Sequence, residues 1–123
     1  MIVSFEHNNI SCDNPNEFEK VIKQLLSLGS AEIWVSENGD RDEYPCMGIL
    51  VNSTGVSLTH FGEDGSCYAS CGEDQKEGFV SFCGGQYEVQ AYQIISKADA
   101  LKVLIDFYKD KGRSDSIKWD QLY

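Results

Sequence analysis

Two helix-periodic segments enclose a long stretch of short β-rich runs, each cut off by turn residues, and this alternation most restricts the folds open to the chain. Residues 47–52 and 56–61 are two β-rich runs around Ser53-Thr54-Gly55, the signature of an antiparallel hairpin. Residues 78–82 and 87–94 have the same form around Cys83-Gly84-Gly85-Gln86, which predicts a second hairpin and a β-meander through the middle of the chain. Residues 2–7 alternate apolar and polar side chains and predict a short strand, as do residues 31–36. The turn-rich residues 37–43, with Asn38-Gly39, then predict a loop.

The helices are signalled at both ends. Asn14 is a cap, Pro15 fits the first turn and Glu17 suits the positive end of the dipole. Phe18, Val21, Ile22, Leu25, Leu26 and Leu28 then recur every three or four positions until Gly29 offers a left-handed stop. The second helix is predicted from Ser96 as cap, with Asp99 in the first turn, to about residue 111. Its apolar stripe is Ala100, Leu101, Leu104, Ile105, Phe107 and Tyr108, with Gly112 as terminator. Residues 117–119 close the chain as a strand. A chain of 123 residues supports one core. The expectation is a single α+β domain over residues 1–123, a mainly meander antiparallel sheet with two helices packed on it.

Charge narrows the partners. Twenty acidic residues against ten basic ones give a formal charge of −10. Such a field repels nucleic-acid backbones and anionic lipid and favours encounter with basic proteins, although acidity also serves solubility alone. The opening residues carry no basic, apolar leader and no later run approaches a membrane span, which predicts a cytoplasmic chain. Five irregularly spaced cysteines, Cys12, Cys46, Cys67, Cys71 and Cys83, suit free thiols in a reducing compartment.

Chemistry is thinly signalled. His7 and His60 sit in strand-like segments without a catalytic motif, and the glycine-rich turns match no phosphate or dinucleotide fingerprint. No enzyme, cofactor or metal is expected. The alternative is a small cysteine- or zinc-containing enzyme or regulator using Cys67, Cys71, Cys83 and His60. The acidic residues gather in three segments, 37–43, 63–64 and 73–77, which read either as solvated turns or as one rim offering carboxylates to a basic partner. In the second reading Asp40, Asp42, Glu43, Glu63, Asp64, Glu73 and Asp74 contact the partner, with Tyr44 and Tyr68 as aromatic anchors.

The C-terminal segment carries a family likeness. Residues 95–107 form an alanine-containing helix ending in an aromatic, followed by Lys111-Gly112-Arg113 and then Ile117-Lys118-Trp119. In the places of Ala100, Phe107, Gly112 and Trp119 the chain resembles immunity protein family one of bacterial polymorphic-toxin and contact-dependent growth inhibition systems. The resemblance implies a single-domain α+β protein that binds and occludes the basic C-terminal domain of a cognate toxin, a nucleic-acid deaminase or nuclease. It implies no catalytic residues. An acidic adaptor for some other basic protein is the remaining alternative.

Overall fold

The computed structural model describes residues 1–40, 43–72 and 76–123. In chain order these form β1 (Ile2–Phe5), β2 (Asn8–Ser11), α1 (Pro15–Leu26), β3 (Ser30–Ser36), β4 (Cys46–Asn52), β5 (Val56–Phe61) and β6 (Cys67–Cys71). There follow β7 (Phe79–Phe82), β8 (Tyr87–Gln90), α2 (Lys97–Asp110) and β9 (Lys118–Gln121). Seven strands make one antiparallel sheet in the order β2-β1-β3-β4-β5-β6-β9, and among the described residues β7 and β8 pair only with each other.

Register decides which side chains meet. Side chains alternate across a strand, so cross-strand partners line up in rows on one face. The rows Ile33-Ile49-Leu58 and Val35-Met47-His60 face the helices, joined by Val3 opposite Val35. From α1 come Phe18, Ile22, Leu25 and Leu26, and from α2 Ala100, Val103, Leu104 and Phe107, all buried in the same cluster. Burying each larger apolar chain is worth about 1.5–3 kcal/mol, so this layer is the main source of stability. Phe18 and Tyr108 join the two helices, with ring centroids 4.9 Å apart. The result is the expected single α+β domain, a mostly antiparallel sheet carrying two helices.

Both helices start where their caps predict. Asn14 Oδ1 accepts from the Glu17 amide at 2.9 Å and Ser96 Oγ from the Asp99 amide at 3.0 Å. Their ends differ from expectation. Helix α1 is closed by Ser27 in a right-handed conformation, and Gly29 takes no positive φ. Helix α2 ends on Lys111, which itself adopts the left-handed conformation at φ 59°, so Gly112 is not the terminator. The Lys111 amide bonds the Phe107 carbonyl at 2.7 Å, and that closing bond fixes the position regardless of side chain.

Four strand assignments are corrected. The first run is not one strand to residue 7. It turns at Glu6-His7, with Glu6 at φ 56°, and returns as β2, whose polar Asn8-Asn9-Ile10-Ser11 gives no strand signal. Residues 67–71, read above only as a possible ligand spacing, are β6. Its Cys67 and Ala69 are buried on one face and its Ser70 on the other, with no β-branched residue to announce it. Strand β8 stops at Gln90 rather than running to residue 94, because a 3-10 turn over Ala91–Gln93 redirects the chain. The closing strand is displaced to Lys118–Gln121, where it pairs with β6.

The β7–β8 hairpin is not part of the meander. It lies on the sheet face opposite the helices, tied there by Asn52 Nδ2 to the Ser81 carbonyl and by Tyr87 OH to Glu32 Oε2, each 2.9 Å. Buried Phe82 fills the space beneath it. The chain leaving it passes so close to two glycines that a Cβ on Gly72 would lie 2.5 Å from the Ile94 carbonyl oxygen and one on Gly55 2.6 Å from that of Ile95.

Candidate functional site

Topology places two of the three acidic segments at one end of the sheet. Strand β3 ends at Ser36 and β4 begins at Cys46, which is opposite Phe61, the last residue of β5. The β3–β4 and β5–β6 connections are therefore neighbours. The described flank of the third segment is elsewhere: Gly72 donates to the Tyr92 carbonyl at 2.7 Å beside the crossing chain at the opposite end. Asp42, Glu73 and Asp74 lie outside the described residues.

Within the β3–β4 connection Asp40 is exposed, and its carbonyl accepts from the Glu43 amide at 3.1 Å. Glu43 Oε1 accepts from the Asn38 amide at 3.2 Å, so this carboxylate also holds its own loop. Gly39 at φ 85° makes the turn, with its amide on Ser36 Oγ at 2.8 Å. In the β5–β6 connection Glu63 and Asp64 are exposed and Gly65 turns the chain at φ 83°. Hydrogen bonds from the Ser66 hydroxyl and amide hold the Asp64 carboxyl below its ordinary range. Asp64 is therefore ionised and fixed in direction.

The two tyrosines lie on opposite faces. Tyr44 is half exposed and its ring lies 6.3 Å from that of Phe61, which in turn stacks on Trp34 at 5.9 Å and 28°. Trp34 covers Gly48, where a Cβ would meet its ring at 3.1 Å. This aromatic group occupies the face opposite the helices, beyond the end covered by the β7–β8 hairpin. Tyr68, in contrast, pairs with His60 and so belongs to the helix-facing side. The Arg113 guanidinium lies 3.5 Å from its ring centroid. One anchor is presented to solvent; the other carries an internal cation.

Trp34, Phe61 and Arg113 went unremarked as site residues in the sequence. A signal existed for the first two: each has the parity opposite to the core row of its strand, Trp34 between Ile33 and Val35, and Phe61 after His60. An aromatic on the non-core face of a strand is an interface candidate.

The candidate zinc set is not assembled. Cys67 and Cys71 are four residues apart on a strand, about 13 Å at 3.3 Å per residue, whereas zinc sulfur ligands sit about 2.3 Å from a shared ion. His60 faces the other side of the sheet. Among the described residues no three His, Cys, Asp or Glu side chains form a group able to hold a metal ion. Burial raises the thiols of Cys12, Cys67 and Cys83, and pushes that of Cys46 up to about 11 with help from the Glu43 carboxylate. Such thiols are poor nucleophiles at neutral pH.

A cleft of about 620 Å³ opens at the far end, between the start of α2, the chain crossing from β8 and the approach to β9. Cys71, Ile94, Asp99 and Lys118 are on its walls, and none of the predicted contact residues among the described residues lines it. Among the described residues no helix is long and apolar enough to cross a membrane.

No protein-family model matches the chain, and no curated protein matches it.

Proposed function

We propose that the chain is an immunity protein: a cytoplasmic, non-catalytic inhibitor that binds the basic C-terminal domain of a cognate, nucleic-acid-acting bacterial toxin and occludes its active site. The observation that carries this reading is the Tyr44–Phe61 aromatic pair, half exposed beside the acidic β3–β4 and β5–β6 connections, in a chain of formal charge −10. Tyrosine is enriched at interface hot spots, and a polar rim surrounds the core of an interface. Asp40, Glu43, Glu63 and Asp64 supply the negative rim that a groove built for phosphate attracts. The same charge disfavours direct binding to nucleic acid. The resemblance of the C-terminal segment to immunity protein family one points the same way.

Co-expression with the product of the adjacent gene tests the proposal. Rescue of growth and a co-purifying complex support it; a neighbour that is not toxic, or that forms no complex, overturns it.

A further inference from the structure

We infer that the exposed ring of Tyr44 and the adjoining face of Phe61 form a receptor for an arginine side chain of the partner, a guanidinium-reading surface rather than a general acceptor of positive charge. The inference rests on the proposed toxin-binding reading and gives it a chemistry. Tyr44 is 50% exposed and lies tilted at 42° to Phe61, presenting ring surface next to a chain that leads directly into Gly62-Glu63-Asp64. A planar, weakly hydrated guanidinium lies flat on such a ring while its N–H fork reaches a carboxylate; a lysine ammonium does the first poorly and the second as a point charge.

The molecule contains its own example of the arrangement. On the other side of the same sheet end, Arg113 lies 3.5 Å from the Tyr68 ring centroid, and the Asp64 carboxylate is near enough to be stabilised by its charge. There the cation is internal. At Tyr44 the described residues place aromatic neighbours on one side and solvent on the other, and the described charged residues nearest before it in the chain, Asp40 and Glu43, are acidic. Complementarity therefore favours a basic protein surface over nucleic acid or a second acidic copy of this chain.

The test is a two-dimensional NMR titration of the whole protein at low salt with hexa-arginine and, separately, hexa-lysine. Hexa-arginine is expected to shift the amides of Tyr44, Phe61 and Glu63 and to bind about two- to five-fold more tightly than hexa-lysine, the ratio an exposed cation–π contact supplies. Tyr44→Leu removes that preference and Tyr44→Phe retains it, while Tyr68→Leu leaves it intact. Equal affinity for the two peptides, a preference that survives Tyr44→Leu, or shifts centred on Tyr68 overturn the inference. Concentration-dependent shifts of the Tyr44 and Phe61 amides without peptide assign the face to a second copy and also overturn it. Growth rescue without arginine preference removes this inference alone; arginine preference without rescue removes the toxin reading and leaves the surface chemistry standing.

Discussion

The buried imidazole of His60 donates from Nε2 to the carbonyl oxygen of Lys111 at 3.0 Å, joining the middle of the sheet to the last turn of α2. A carbonyl only accepts, so Nε2 carries the hydrogen and Nδ1 is left as a buried acceptor with no partner among the described residues. Phe107 and Trp119 meet the ring edge-on at 5.8 and 6.4 Å. Lys111 in turn pairs with Glu37 at 2.8 Å, which links the helix end to the β3–β4 connection.

This arrangement fixes a pH dependence. Burial lowers the His60 pKa and outweighs the Lys111 carbonyl, which raises it; Arg113 lowers it further, against smaller opposite effects of Asp64 and Asp110. The unfolded chain then binds this proton more readily than the folded one. Stability is fully present above the unfolded value of about 6.5 and is lost as the pH falls below it, by at most about 1.4 kcal/mol per pH unit. Urea unfolding between pH 7.5 and 5.5 is expected to show that decline, and His60→Gln to flatten it. An equal slope in the variant refutes the assignment.

Ser70 replaces a piece of sheet ladder. Its hydroxyl accepts from the Leu58 amide at 3.0 Å and donates to the Gln93 carbonyl at 2.8 Å, all of it buried. Ser70→Ala leaves both backbone groups without this partner, at an expected loss of about 1–3 kcal/mol in chemical denaturation.

The two glycines at positions 72 and 29 should behave oppositely. Gly72→Ala puts a methyl into the Ile94 carbonyl, and overpacking of this kind is expected to lower stability by about 1–3 kcal/mol. Gly29 has open space around its Cβ position and no positive φ, so Gly29→Ala is expected to be neutral or to stabilise by about 0.4–1 kcal/mol. Thermal melts of the pair decide the point.

Asn14→Ala removes the acceptor for the Glu17 amide and is expected to lower stability by about 1 kcal/mol, with Asn14→Ser close to wild type.

For the proposed partner, Glu63→Lys and Asp40→Lys are expected to slow association more than they speed dissociation and to shallow its salt dependence. Stopped-flow binding at two ionic strengths checks this; unchanged association rates remove the acidic rim from the interface.

The sequence alone determined what local chemistry controls. Asn14, Pro15 and Ser96 set the helix starts, the 3.6-residue spacing chose the buried faces of α1 and α2, and Ser53-Thr54-Gly55 closed the β4–β5 hairpin. These signals act within a few residues and survive any tertiary context that buries the same face. Tertiary structure decided the rest. Strand β6 exists because β5 and β9 flank it, although Cys67-Tyr68-Ala69-Ser70-Cys71 has little strand preference. Lys111 rather than Gly112 turns left-handed because its amide is held by Phe107 and its carbonyl by His60, fifty-one positions away. Tyr44, in the β3–β4 connection, lies half exposed beside Phe61, whereas Tyr68, in β6 opposite His60, lies beneath Arg113. A strand's period of two sends neighbours to opposite faces, so only pairing with β5 and β9 settles which face Tyr68 takes.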